Sequence, residues 1–284
     1  MSDYILGVYE KFMPEHLTLE ERLYAAKECG YDFLEISIDE SDKRLSRLKW
    51  TAAERTQLKN AINTSGTPIK TMCLSAHRKY PLGSSDAKTR ERSLEIMKRA
   101  LELATDLDLS IIQLAGYDVY YEPSTELSVA RFEEGLRACV EMAEKTDIVL
   151  GFETMETDFM NTVEKAMRYV SLISSPALQV YPDIGNLTNG SDDVPNDLRK
   201  GEGHIFAAHL KETKQGVFRD MFPGEGRVDF NTLIPQLYSQ GVRIFNAECW
   251  YREGDDYASR MRSVCEFYRS IFESRCTLEK TAIK

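Results

Sequence analysis

Four residues with metal-binding side chains each follow a short apolar run in the sequence. They are Glu153 after IVLGF, Asp183 after the run that ends in VYP, His209 after HIFAA and Glu248 after RIFNA. Three carboxylates and one imidazole form an oxygen-rich ligand set suited to Mn²⁺, Mg²⁺ or Zn²⁺, and the lack of a thiolate argues against a structural zinc. The sequence therefore predicts one site for a divalent metal ion.

Each of these residues, taken alone, has a simpler interpretation as a helix N-cap or a solvated loop residue. The same position after four successive apolar runs favours a shared site instead. His204 opens its run, on the side away from this site, so we expect it to be structural. The acidic residues Asp39, Glu40 and Asp42 are interpreted as a solvated face.

A second group of residues could bind an anion. The segment SAHRKY places a hydroxyl, an imidazole and two cations on one loop, a donor set suited to phosphate. A solvated basic loop is the alternative. The segment KETK adds two more cations directly after His209. The predicted phosphate-binding residues are Ser75, His77, Arg78, Lys211 and Lys214.

The elements that must position these residues follow from the apolar pattern. Eight segments are predicted as strands: 4–9, 33–38, 69–74, 110–114, 147–152, 178–181, 204–210 and 242–247. A helical pattern follows each strand, as at 51–64, where Thr51 and Glu54 form a capping box, and at 192–200. Alternating strands and helices predict a parallel sheet, and eight such units predict an α/β fold of the (β/α)₈ TIM barrel type. In this fold the ligands bind at the carboxyl ends of the strands, where the four metal-binding residues fall.

Composition and chain length limit the possible partners, cellular location and number of domains. The net charge of −10 argues against nucleic acid as a partner. The lack of an 18-residue apolar run and of a signal peptide predicts a cytoplasmic protein without a membrane partner. Six cysteines without CxxC spacing are typical of reduced thiols. We expect one domain over residues 1–284, with a frayed tail after about Arg275.

Several loop motifs carry a resemblance to a known family. The chain resembles the L-xylulose/L-ribulose 5-phosphate 3-epimerases of bacterial L-ascorbate-type pentose catabolism, within the xylose-isomerase-like TIM-barrel superfamily. The likeness runs from LGVYEK at Leu6 to the last predicted helix. The motifs are LSRLKW (45–50), MCLSAHRKYPLGS (72–84), IQLAGYDVYY (112–121), YPDIGNL (181–187), GHIFAAHLKETKQGVF (203–218) and GEGRVDF (224–230).

The resemblance implies roles for the four metal-binding residues. All four match the family's ligands to one divalent ion, expected to be Zn²⁺ or Mn²⁺ with Mg²⁺ as a further candidate. Glu153 and Glu248 also match its catalytic acid/base pair. The implied reaction removes the C3 proton of a phosphorylated ketopentose to give a cis-enediolate, and then returns a proton to the opposite face. A homodimer is implied as well.

Three alternatives stay open from the sequence. A 3-epimerase or an aldose–ketose isomerase of free sugars would use the same ligands but would gain nothing from the cations of SAHRKY. A DNA-repair endonuclease would need more histidines than the four present, and a basic face. A catalytically inactive sugar-binding protein is the third alternative, and metal analysis would test it.

Overall fold

The centre of the molecule is a ring of short parallel strands. The computed structural model describes residues 3–276, so the predicted frayed tail lies outside the described residues apart from Cys276. The strands are β1 (Ile5–Tyr9), β2 (Phe33–Ser37), β3 (Ile69–Leu74), β4 (Ile111–Ala115), β5 (Val149–Glu153), β6 (Leu178–Val180), β7 (Ala208–Leu210) and β8 (Ile244–Ala247). Each of β1 to β5 pairs with the next strand along the chain, β7 pairs with β8, and β8 pairs with β1.

The ring closes between β6 and β7 through sparse contacts. Two isolated parallel bridges join these segments, Val180 with Ile205 and Asp183 with His209. The amide of His209 donates to the carbonyl of Pro182 at 2.9 Å. Pro182 has no N–H to donate, which explains why β6 ends earlier than predicted. The predicted (β/α)₈ TIM barrel is thereby confirmed.

Helices surround the strands and cover their outer faces. They are α1 (Leu19–Glu28), α2 (Asp42–Leu45), α3 (Ala52–Ser65), α4 (Ala87–Asp106), α5 (Glu126–Ala143), α6 (Val163–Ile173), α7 (Ile184–Gly190), α8 (Val194–Arg199), α9 (Phe230–Ser239) and α10 (Tyr257–Ile271). The sequence predicted one helix after β6, at 192–200, whereas the structure has both α7 and α8 there. The first of them begins at once because the carboxylate of Asp183 accepts a hydrogen bond from the amide of Asn186 at 2.8 Å.

The interior of the barrel changes from apolar to polar along the strands. Ile111, Tyr181 and Ala207 form a small buried apolar cluster, against which Ile244 packs. Polar side chains follow towards the carboxyl ends of the strands, where the site lies. Cys29, Cys73, Cys139, Cys249 and Cys265 are buried free thiols. No described helix is long and apolar enough to cross a membrane.

The predicted capping box of α3 is present. The amide of Glu54 donates to Thr51 Oγ1 at 3.3 Å, and the amide of Thr51 donates to Glu54 Oε2 at 2.7 Å. Thr51→Ala removes one half of this exchange, so we expect the free energy of unfolding to fall by about 1 kcal/mol. Thermal unfolding followed by circular dichroism should show a melting temperature about 2–4 °C lower.

The control for this prediction replaces a second threonine of the same helix with alanine. Thr56 is exposed, and its hydroxyl donates to the carbonyl of Ala52 at 2.8 Å. Thr56→Ala should change the free energy of unfolding by less than about 0.5 kcal/mol. Equal melting temperatures for the two variants would contradict a stabilising role of the cap.

Candidate metal centre

The four predicted ligands come together at the carboxyl end of the barrel. Glu153 is the last residue of β5, Asp183 lies between β6 and α7, His209 is the middle residue of β7, and Glu248 directly follows β8. One ligand atom from each lies within 4.8 Å of those of the other three, and all four side chains are buried. Neighbouring parallel strands place successive strand ends side by side, which is why regularly spaced residues converge here.

The imidazole of His209 lies between two acidic groups. Its Nδ1 is 3.2 Å from Glu153 Oε1 and 3.0 Å from Glu248 Oε2. Its Nε2 points the other way and is 2.8 Å from Glu35 Oε1. The ring of Tyr181 packs edge-on against it, with 4.7 Å between the ring centroids. Nδ1 is therefore the nitrogen that faces the other three ligands.

Glu35 was missed in the sequence analysis, although a signal was present. It stands in the middle of FLEIS, a strand in which all five residues are buried. A charged residue is almost never fully buried without partners. An isolated carboxylate inside a buried strand therefore indicates a group that has a partner inside the barrel.

Lys211 lies against the predicted ligands. Its Nζ is 2.6 Å from Asp183 Oδ2 and 3.6 Å from Glu248 Oε2, and the side chain is buried. Burial would lower the pKa of this lysine, but Asp183 and Glu248 raise it above its usual value. Lys211 therefore carries its charge beside the carboxylates.

Burial and neighbouring charges shift the pKa values of the residues in this group. Burial raises the pKa of Asp183 to about 7, although Lys211 opposes this shift. Burial acts in the same direction on Glu248, but Lys211 and His209 lower its pKa below the usual value. For His209, burial would lower the pKa, yet the carboxylates of Glu35 and Glu248 raise it well above the usual value.

The donor set fits a divalent cation. Three carboxylates and an imidazole converge in a buried space, and Lys211 is the cation placed directly against them. The carboxylate of Glu35 adds a fourth acidic group, so Lys211 cannot balance the negative charge even together with a protonated His209, and buried charges must be paired or bound to a metal. The oxygen-rich set, with one nitrogen ligand, suits a divalent ion.

A cavity of about 340 Å³ opens above this group. Glu153, Glu248 and Lys211 form part of its wall. Other lining residues come from the loops after β1, β2, β3 and β5 and from the segments after β6, β7 and β8. They include Tyr9, Lys11, Asp39, Glu40, Ser75, Arg78, Met155, Asn186, Arg219 and Trp250. The volume is sufficient for a small sugar phosphate.

The predicted phosphate-binding residues of the SAHRKY loop do not all lie at the cavity. Ser75 and Arg78 line the cavity, whereas His77 is not among the lining residues. The His77 side chain is buried, and its Nε2 is 3.2 Å from the carbonyl oxygen of Ser93. Burial lowers the pKa of His77 to about 4, so the ring is neutral at pH 7. This placement argues against the predicted contact between His77 and a phosphate.

Lys214 is also absent from the cavity wall. It is exposed on the loop after β7, where its backbone pairs with that of Val217. His204 lies before β7, and its Nδ1 is 2.9 Å from Gln179 Oε1, in agreement with a structural role.

The acidic loop after β2 requires a correction. Asp39 and Glu40 line the cavity and are not simply a solvated face. Asp39 forms an ion pair of 2.7 Å with Lys11 from the loop after β1. Asp42 is exposed, as predicted.

Arg78 is held by aromatic residues at the mouth of the cavity. Its guanidinium lies over the ring of Tyr120, 4.7 Å from the centroid, and it donates to the hydroxyl of Tyr117 at 3.4 Å. That hydroxyl donates to Glu156 Oε2 at 2.5 Å. These contacts orient a cation on the cavity wall while leaving it partly exposed.

Comparisons with known proteins identify the family of the chain. The family model described as xylose isomerase-like TIM barrel matches residues 23–271. The L-ribulose-5-phosphate 3-epimerase UlaE of Shigella flexneri is 42% identical over 266 residues, which cover 93% of this chain and 94% of the relative.

Two solved structures show the same fold at low sequence identity. The structure of an L-ribulose 3-epimerase superposes with a TM-score of 0.81 at 16% identity, covering 99% of this chain and 98% of the other. A D-psicose 3-epimerase from Clostridium cellulolyticum H10, solved with D-tagatose, gives a TM-score of 0.79 at 16% identity, covering 94% of this chain and 99% of the other.

Proposed function

This chain belongs to the xylose isomerase-like TIM barrel family and, within it, to the L-ribulose-5-phosphate 3-epimerases, and we propose that it interconverts L-ribulose 5-phosphate and L-xylulose 5-phosphate by inversion at C3. One observation carries the proposal. Glu153 and Glu248 both contact His209 Nδ1, at 3.2 and 3.0 Å, in the wall of a cavity that fits a sugar phosphate.

The metal-binding role rests on the convergent ligand set. Glu153, Asp183, His209 and Glu248 would hold one divalent ion, proposed to be Zn²⁺ or Mn²⁺. When bound, such an ion supplies a Lewis acid that polarises the ketone and stabilises negative charge on the sugar oxygens. Asp183 is proposed as a ligand alone, since its carboxylate also caps α7 and contacts Lys211.

The two glutamates would carry out the proton transfers. A proton on C3, next to the ketone, is too weakly acidic for water to remove quickly. One glutamate removes this proton, and the other gives a proton to the opposite face of the planar enediolate. The reverse reaction exchanges the two roles, so neither residue is only an acid or only a base. A positioned acid or base typically contributes about 10²- to 10⁴-fold to the rate.

The phosphate group would occupy the mouth of the cavity. Of the predicted phosphate-binding residues, Ser75, Arg78 and Lys211 line the cavity, and Ser75 and Arg78 are the two from the loop after β3. Lys211 remains beside Asp183, where it offsets part of the negative charge and is available to the sugar oxygens. Binding energy from the remote phosphate helps to position C3 between the glutamates. His77 and Lys214 are left out of this proposal because neither lines the cavity.

Arg78→Ala tests the phosphate site. We expect KM for L-ribulose 5-phosphate to rise by more than about tenfold with a smaller change in kcat, because a charge-assisted bidentate contact contributes mainly to binding. Lys79→Ala is the matched control, since Lys79 is an exposed cation on the same loop. Its KM should stay within about twofold of wild type. An unchanged KM in Arg78→Ala would move the phosphate to another lining cation, Arg219 or Lys11.

Proton NMR in D₂O tests the reaction itself. The metal-loaded protein should convert L-ribulose 5-phosphate to L-xylulose 5-phosphate with deuterium entering at C3. Free L-ribulose should react with a kcat/KM lower by at least about 10²-fold, because it lacks the group that Arg78 would bind. Exchange at C1 would indicate an aldose–ketose isomerase instead. Equal use of the free sugar would indicate an epimerase of unphosphorylated ketoses.

Three further expectations accompany this proposal: one domain, a homodimer, and a cytoplasmic location. Analytical ultracentrifugation tests the homodimer directly, and limited proteolysis tests the single domain. A monomer in solution would contradict the expected assembly without affecting the proposed chemistry.

A further inference from the structure

Glu35 is a fully buried carboxylate inside the barrel, on the side of His209 away from the other ligands. Its Oε1 is 2.8 Å from His209 Nε2 and accepts a hydrogen bond of 2.8 Å from Asn246 Nδ2. Its Oε2 accepts from Thr71 Oγ1 at 2.6 Å and from the hydroxyl of Tyr181 at 3.0 Å. Four side chains from four parts of the barrel thus converge on one carboxylate.

Both ring nitrogens of His209 face carboxylates, and an ion bound at Nδ1 would leave Nε2 as the nitrogen that carries the proton. An ionised carboxylate only accepts hydrogen bonds, so the imidazole must donate from Nε2 to form the 2.8 Å contact. A neutral imidazole that donates from Nε2 presents the lone pair of Nδ1. That nitrogen is the one that faces Glu153 and Glu248.

The other contacts fix the direction of the ring. Thr71 and Tyr181 hold Oε2, and Asn246 shares Oε1 with the histidine, so the carboxylate cannot rotate without losing hydrogen bonds. Tyr181 also packs against the imidazole edge-on. The carboxylate is 0% exposed, and solvent therefore cannot replace a lost partner.

We propose that Glu35 is a positioning residue that holds His209 in the Nε2–H tautomer and thereby sets the affinity of the site for a divalent ion. The inference rests on the proposed metal-binding function. A carboxylate behind a ligating histidine orients the ring and increases the basicity of the other nitrogen, and its loss typically weakens metal binding by about 10- to 100-fold. The role of Glu35 is indirect, since it lies away from the cavity wall.

Metal affinity, measured without turnover, tests this inference. Co²⁺ is titrated into the metal-free protein and followed by its visible absorption. Glu35→Gln keeps the shape of the side chain but removes the charge, so we expect Co²⁺ to bind about 10- to 100-fold more weakly. In Thr71→Val the same carboxylate loses a different partner while the His209 contact remains. We expect the affinity of Thr71→Val to stay within about threefold of wild type, since the charge behind the histidine is kept.

A second measurement uses the wild type and so does not depend on a variant that folds. Two-bond ¹H–¹⁵N correlation spectra of the zinc-loaded protein, labelled at its four histidines, report which ring nitrogen carries a proton. His209 should show a protonated Nε2 and an unprotonated Nδ1. A protonated Nδ1, or a Glu35→Gln variant that folds and binds Co²⁺ as tightly as wild type, would overturn the inference.

The experiment separates this inference from the proposed function. Weaker Co²⁺ binding by Glu35→Gln, in a protein that does not epimerise L-ribulose 5-phosphate, would reject the reaction and keep the role of Glu35. Normal epimerisation, together with equal Co²⁺ affinities of wild type and Glu35→Gln, would keep the proposed reaction and reject the role of Glu35. A loss of affinity in Thr71→Val as large as that in Glu35→Gln would indicate that Glu35 only supports the fold, and would also overturn the inference.

Discussion

Replacing either Glu153 or Glu248 with glutamine is expected to leave a folded protein whose kcat is lower by about 10²- to 10⁴-fold. Each carboxylate lies in the cavity wall within 3.2 Å of His209 Nδ1. Glutamine keeps an oxygen at the same place but cannot accept or release the proton. Coupled assays of both directions measure the loss, and Glu95→Gln on the exposed face of α4 is the control for the same chemical change.

Deuterium exchange gives a more specific result for the same two variants. Each variant retains one of the two bases, and that base faces only one side of the planar intermediate. Each should therefore exchange the C3 proton of one epimer with D₂O but not that of the other, and the two variants should show opposite preferences. Exchange of both epimers by both variants, or appreciable epimerisation by either one, would rule out a two-base mechanism.

Removing the metal is expected to have the second large effect. After dialysis against a chelator, the rate should fall by at least about 10³-fold, since Lewis-acid stabilisation contributes several kcal/mol. The melting temperature should also fall by about 5–10 °C. A ligand at 100 times its Kd stabilises the folded state by about 2.7 kcal/mol, and each kcal/mol shifts the melting temperature of a domain of this size by about 2–4 °C.

Separate addition of Zn²⁺, Mn²⁺ and Mg²⁺ to the metal-free protein then identifies the ion that restores both the reaction rate and the melting temperature. Asp183→Asn is the control, because it removes one ligand charge from the group of four. Its melting temperature should change little on chelation. Full activity in protein that elemental analysis shows to be free of metal would contradict the proposed role of the four ligands.

The convergence of the four predicted ligands could be predicted from sequence because their positions depend on regular structure. Each of the four residues follows a short apolar run in the sequence, and parallel strands bring their carboxyl ends together. Local signals such as the capping box at Thr51 located the helices in the same way. These features depend on residues that are close in the chain, or on a repeated pattern, and both are visible in one sequence.

The loop residues could not be assigned in this way. Ser75 to Arg78 form one turn of 3₁₀-helix, which directs His77 into the protein while Ser75 and Arg78 remain at the cavity. Composition alone cannot show whether each side chain of such a turn faces the cavity or the protein interior. Asp39 was assigned to a solvated face for a related reason: its partner Lys11 comes from a different loop, and nothing near Asp39 in the sequence indicates that contact.

The sparse pairing between β6 and β7 has a mechanical consequence. Asp183 and His209 form one of the two bridges that close the barrel there, and both also belong to the metal-ligand group. An ion bound to their side chains would cross-link the ring at the junction where isolated bridges replace a continuous ladder. Amide hydrogens along this junction, such as that of His209, which bonds to Pro182, should then exchange with solvent more slowly once the site is loaded. A bound ion would in this way stabilise the closure of the barrel in addition to its proposed role in catalysis.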